Sequence, residues 1–185
     1  MIWGNKRLQN LIDIDMICNT YEGSVNPASI NLRLGHTFLI PKPDQIVELG
    51  QEMKYDRFEL KDGMKIVIDP GVFMLATTIE SISVPLHAAA FVQGRSSIGR
   101  AGLTVQNAGF VDPGFPGHIT LELKNDSPCP IVLFPGYPVT QLVYMDAVDV
   151  TEGYKGKYVG QVEATGSRMQ KDGITPTNVF DKEVP

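Results

Sequence analysis

The residues best suited to chemistry lie in one window, Gly94 to Asn125, which reads GRSSIGRAGLTVQNAGFVDPGFPGHITLELKN. It opens on Gly94-Arg95-Ser96-Ser97-Ile98-Gly99-Arg100, where guanidinium groups and hydroxyls sit between glycines. Arginine forks match phosphate oxygens two at a time and hydroxyls add donors, so the run suits a polyphosphate. A solvated basic turn fits the same spacing. The pattern imitates a P-loop, but Arg100 stands where the lysine belongs and Ala101 where Ser or Thr belongs. No long helix is predicted after it, and the P-loop reading is rejected. Asp112 follows within Phe110-Val111-Asp112-Pro113-Gly114, a turn signature in which an aspartate also serves as a plain turn cap. Glu122 is the sharper candidate. In His118-Ile119-Thr120-Leu121-Glu122-Leu123-Lys124 the apolar residues alternate, which puts Thr120 and Glu122 together on the opposite face of a strand. A carboxylate there is a general acid–base if partly desolvated, and a solvated charge if not.

The elements that must carry these residues are mostly strands. Residues 5–17 place Leu8, Leu11, Ile12 and Met16 at helical spacing, which predicts one short N-terminal helix. After the break at Asn26-Pro27-Ala28, residues 30–34 alternate as a strand does. Residues 41–63 read as a charged loop holding at most one strand. Short apolar runs then follow at 64–68, 72–78, 88–92, 119–124, 131–134 and 139–144, parted by Asp-Pro-Gly, Pro-Cys-Pro and Pro-Gly-Tyr-Pro turns. Many short strands at close spacing predict a mainly β fold: a sandwich, jelly roll or distorted barrel. The segment 151–185 is poor in large apolar residues, and it is expected to be mobile until something holds it. The division expected is a β domain over 1–150 and a tail over 151–185.

Composition excludes several classes. The chain has 185 residues, enough for one domain with a tail, and 43% hydrophobic residues, ordinary for a globular core. A net charge of -5 argues against a non-specific nucleic-acid binder. No apolar run is long enough to span a membrane, and residues 1–10 do not resemble a secretory signal. Cys18 and Cys129 form no disulfide framework and suit a reducing cytoplasm. His36, His87 and His118 lie far apart, and neither cysteine sits in a CxxC, so the ligands of a tetrahedral zinc site are missing.

Taken together these pieces resemble the dCTP deaminase branch of the trimeric dUTPase superfamily. The resemblance runs from Asn26 to Asp172. It is carried by Pro27-Ala28-Ser29-Ile30-Asn31-Leu32-Arg33-Leu34-Gly35, by Gly94 to Arg100, by Asp112-Pro113-Gly114-Phe115 and by Gly117 to Leu123. Pro135-Gly136, Gln141-Leu142, Gly156 to Gln161 and Ser167-Arg168 continue it. It implies a dUTPase-like β-clip barrel, assembled as a homotrimer with sites between subunits, and a deamination without zinc. It also implies dCTP and dUTP as ligands, dTTP as a feedback inhibitor, and Mg²⁺ arriving with the triphosphate.

The same resemblance assigns roles residue by residue. Glu122 matches the family's proton-shuttling glutamate. Ser96 and Arg100 match residues that hold the attacking water, the glutamate or the phosphates. Arg95, Ser97, Ile98 and Gly99 belong to the same nucleotide-contacting run. Asp112 matches the residue that meets the deoxyribose 3′-hydroxyl. Thr120 and Leu121 lie on the strand bordering the nucleotide, and Tyr154, Lys157 and Gln161 match tail residues that close on the triphosphate. Some members only deaminate dCTP, while others carry the product on to dUMP and pyrophosphate. Gln141 matches the two-step members, and Asp112 coincides with the aspartate of simple dUTPases, so the bifunctional reading ranks first. Deaminase alone ranks second. The run Val105-Gln106-Asn107-Ala108 is closer to simple dUTPases, but residues 161–168 lack their uracil-stacking aromatic, so dUTPase alone ranks third. A non-catalytic nucleotide-gated regulator stands as the alternative outside enzymes.

Overall fold

A computed structural model describes residues 1–106 and 109–174, with Gln106 described by its backbone only. The first element is α1, Asn5–Asp13, which buries Leu8 and Leu11. It stops short of the predicted residue 17. Asp15 adopts a left-handed φ of 56°, the Asp15 amide donates to the Ile12 carbonyl, and the Met16 amide donates to the Leu11 carbonyl. That is a Schellman termination with aspartate where glycine is usual. The apolar periodicity runs past this stop because Met16 still packs against the core.

The strands are β1 (Ile17–Cys18), β2 (Ile30–Pro41), β3 (Tyr55–Glu59), β4 (Ile66–Ile68), β5 (Phe73–Ser83) and β6 (Ala88–Gly94). A five-residue helix α2 (Ser96–Arg100) precedes β7 (Leu103–Gln106), β8 (Phe110–Val111), β9 (Pro116–Asn125), β10 (Ile131–Leu133) and β11 (Pro138–Asp146). The basic run at 95–100 is thus mostly one helical turn. The charged segment 41–63 holds the single strand β3.

The main sheet runs β7-β9-β5-β2-β11-β6-β8, with β1 on β5 and β3 on β2, while β10 and β4 form a separate pair. Every pairing within it is antiparallel. Its curl comes from β2. The start of β2 pairs with β11, and its later residues pair with β5 and β3 across a register shift between Leu34 and Phe38. The sheet therefore wraps a single core, into which Leu32, Leu34, Phe38, Met74, Leu121, Leu123 and Leu142 are fully buried. Each such side chain contributes about 1.5–3 kcal/mol of apolar burial. The result is a mainly β fold, as expected of the sequence, whose sheet curls into a half-barrel. Among the described residues no helix is long and apolar enough to cross a membrane.

The β5·β9 pairing is interrupted by a bulge. Thr77 pairs with Thr120 and Ser81 pairs with His118, so Thr78-Ile79-Glu80 stands against Ile119 alone. Such a bulge frees backbone groups, and each needs a partner. The Thr78 hydroxyl accepts from the Ile119 amide (3.0 Å) and donates to the Glu80 carbonyl (2.8 Å). His118 Nδ1 donates to the Thr78 carbonyl at 3.0 Å, which fixes its tautomer because a carbonyl only accepts. Glu80, with no exposed surface, accepts from the Arg33 amide and from Arg33 Nε, both at 2.7 Å.

The tail leaves β11 and folds back over the sheet. The Tyr154 amide donates to the Pro113 carbonyl, the His118 amide to the Gln161 carbonyl, and the Gly160 amide to the Pro116 carbonyl. The expectation for this segment was mobility until held. As far as residue 174, its own subunit supplies holding contacts.

Candidate active site

Strand β9 places the central residues. Its burial alternates as the sequence predicts: Ile119, Leu121 and Leu123 face the core, and Thr120 and Glu122 face the other way. That second face forms part of a cavity of about 410 Å³. Volumes of this order suit a small-molecule ligand. Asp112 stands on its wall at the end of β8, with Thr120, Glu122, Phe115, Tyr154 and Gln161. The turn after Asp112 is rigid. The Gly114 amide donates to the Val84 carbonyl, the Val84 amide donates to the Phe115 carbonyl, and Gly114 has φ 80°. A Cβ at 114 would stand 2.6 Å from Gly153 Cα, so the tail can cross here only because the residue is glycine.

The tail forms the roof. Tyr154 packs on Phe115 with ring centroids 5.6 Å apart. Gln161 donates from Nε2 to the His118 carbonyl at 2.7 Å. The Thr165 amide donates to Thr120 Oγ1 at 3.1 Å, on the same strand face as Glu122. Gly117, at φ 141°, leaves no space for a side chain because the Gln161 carbonyl lies 2.8 Å from where its Cβ would be.

The remaining expected residues lie elsewhere in the subunit. Ser96, Ser97, Gly99 and Arg100 are exposed on α2, and Ile98 anchors that helix in the core. Arg95 caps the helix start, its guanidinium donating to the Pro138 carbonyl at 2.9 Å. Gln141 lies on β11 opposite Gln93, one residue along from the Thr140–Gly94 pair, and its Oε1 accepts from the Ser29 hydroxyl at 3.1 Å. None of these lines the cavity. Leu121 has a fully buried side chain, so only its backbone could border a ligand. Lys157 donates to both carboxylate oxygens of Asp172 (2.5 and 2.6 Å), and that hydrogen bond holds its ammonium above its ordinary pKa. Asn107 and Ala108, in the run that reads closer to simple dUTPases, lie outside the described residues, as do residues 175–185.

Sequence reasoning missed Tyr55, Phe73, Leu75, Tyr158, Thr165 and Ser167, which also line the cavity. Tyr55 sits in the segment read as a loop, and Phe73 and Leu75 read as ordinary strand hydrophobes. Among the described residues, no three His, Cys, Asp or Glu side chains converge as a metal site would need.

Residues 2–147 match the family model described as dCTP deaminase-like. The chain belongs to this family. A protein of Sulfurihydrogenibium sp. named "dCTP deaminase, dUMP-forming" is 44% identical over 152 residues, covering 80% of this chain and 84% of that protein. A protein of the same name from Persephonella marina is 38% identical over 178 residues, covering 93% and 99%. The crystal structure of 2′-deoxycytidine 5′-triphosphate deaminase from Agrobacterium tumefaciens superposes with a TM-score of 0.65 at 20% identity. It matches 79% of this chain, which spans about half (48%) of that longer one. At this identity it supports a shared fold and nothing finer.

Proposed function

We propose that this protein converts dCTP to dUMP, ammonia and pyrophosphate, consuming two waters. The observation that carries the reading is the placement of Glu122 and Asp112 on the wall of one cavity, beneath a roof made by the tail. The half-buried Glu122 is suited to general acid–base work at a water-excluded site. In the first step it takes a proton from a water whose oxygen attacks C4 of cytosine. The proton passes to N3, and a second proton transfer lets the C4–N bond break and ammonia leave. Asp112 accepts from the deoxyribose 3′-hydroxyl. In the second step a water attacks the α-phosphorus, and pyrophosphate departs. The name "dUMP-forming" borne by the relatives favours two steps over deamination alone.

The separation of the expected residues supports an assembly. Arg95 to Arg100 and Gln141 lie off this subunit's cavity, as residues that complete a neighbouring copy's site would. The trimer follows from this reading, with residues 1–150 as the β domain and 151–185 as the closing tail. Magnesium would be held chiefly by the triphosphate and water, as that ion commonly is, so the cavity needs no carboxylate cluster of its own. dTTP would occupy the same cavity as a competitor.

Glu122→Gln tests the assignment. The amide keeps the shape and loses the base, so ammonia release should fall about 10²–10⁴-fold while nucleotide binding is retained. Ammonia release at the wild-type rate would remove Glu122 from its role.

A further inference from the structure

The tail residues Thr165 to Arg168 are seated by two tyrosines. The Ser167 amide donates to the Tyr55 hydroxyl and the Arg168 amide donates to the Tyr158 hydroxyl, both at 3.1 Å. The Tyr55 hydroxyl in turn donates to Met53 Sδ at 3.4 Å, so it both accepts and donates. Just before these anchors, Gly166 lies against the Tyr55 ring. A Cβ at 166 would stand 2.6 Å from Cε2 and 3.0 Å from Cδ2. Tyr55 begins β3 and pairs with Pro41 of β2, so its ring stands on the sheet and not on a loop. The segment is flanked by two further ties, the Ala164 amide to Thr37 Oγ1 (2.9 Å) and Arg57 to Glu163 (2.9 Å). Thr165 and Ser167 both line the cavity that holds Glu122.

We propose that Tyr55 is a positioning residue: its ring and hydroxyl seat Gly166-Ser167 so that Thr165 and Ser167 stand in the wall of the nucleotide site. This rests on the cavity being that site. The ring sets the height at which the chain crosses, because only glycine fits against it. The hydroxyl sets the register, because it takes one particular amide. Without it the roof keeps its ties at Glu163, Ala164, Thr165 and Arg168 and loses its hold at Gly166-Ser167 between them.

The test uses the full chain. Tyr55→Phe keeps the ring and removes the acceptor. In the absence of nucleotide, amide exchange at Ser167 should accelerate about 2- to 10-fold, the worth of one neutral hydrogen bond, with the Leu121 amide unchanged. The KM for dCTP should rise by a similar factor, the effect falling more on KM than on kcat. Gly166→Ala and Tyr55→Leu should each raise KM, and together should do no more than the worse of the two, because the added methyl then meets no ring. Unchanged Ser167 exchange in Tyr55→Phe would overturn the proposal, as would simple additivity of Gly166→Ala and Tyr55→Leu. Exchange is read without substrate. If it responds in a protein that does not turn over dCTP, the functional reading falls and the seat stands.

Discussion

Removing the Glu80 carboxylate should weaken the fold and the active strand together. Glu80 is wholly buried at the β5 bulge and accepts two hydrogen bonds of 2.7 Å, one from the Arg33 backbone and one from its guanidinium. In Glu80→Gln one oxygen remains to accept, but an NH₂ group now faces the other donor. The loss of one bond to a charged group is worth about 1.5–3 kcal/mol. In Glu80→Ala both bonds go, and breaking a buried pair from one side costs about 3–5 kcal/mol. The lower end applies here, because Arg33 is 21% exposed, lies over the Tyr21 ring and keeps the Asn19 carbonyl as an acceptor. For a chain of this size about 1 kcal/mol moves the melting point by 2–4 °C, so losses near 3–6 °C for Gln and 6–12 °C for Ala are expected. The bulge also carries Thr78, whose hydroxyl holds the Ile119 amide next to Thr120. Turnover measured well below melting should therefore fall in Glu80→Gln as well. The assay is a thermal melt paired with initial rates at a fixed low temperature. Replacing both partners by Arg33→Met and Glu80→Leu should cost much less than the single changes summed, since no unpaired charge remains. A melting point for Glu80→Ala within about 1 °C of wild type would refute the reasoning.

Two further outcomes are expected from other parts of the molecule. The N-terminal ammonium, the Trp3 indole N–H and Arg7 hold the Asp146 carboxyl well below the usual carboxylate range. A depressed folded pKa gives stability that is present above the unfolded value of about 3.9 and fades as pH falls through the folded one. The melting difference between wild type and Asp146→Asn should therefore be flat from neutral pH down to the unfolded value and shrink only in stronger acid; a difference that vanishes between neutrality and pH 5 would contradict it. Truncation before Tyr154 should preserve the oligomeric state seen by gel filtration and raise the KM for dCTP, because the tail roofs the cavity and leaves the sheet intact; dissociation of the assembly would count against that.

The legible parts of this molecule are those governed by local periodicity. The alternation at 119–123 assigns Thr120 and Glu122 to one face, and β9 carries them there. The Asp112-Pro113-Gly114 signature marks a real turn beside the cavity. Residues that depend on long-range meetings were not legible. Tyr55 and Gly166 are 111 positions apart, and nothing in either segment says that they touch. The α1 stop escaped because aspartate took a glycine's place at Asp15. The tail reads as too polar to order itself. Past Gln161 it is held by single hydrogen bonds to Thr37, Thr120, Tyr55 and Tyr158, and composition carries no trace of those.

The most direct measurement is a product analysis of the purified protein incubated separately with dCTP and with dUTP in the presence of Mg²⁺. The account predicts that dCTP yields dUMP, ammonia and pyrophosphate in equal amounts, without accumulation of dUTP. Accumulating dUTP would reduce the protein to a deaminase, and dCTP left intact while dUTP is consumed would reduce it to a dUTPase. Both nucleotides left intact would contradict the account altogether.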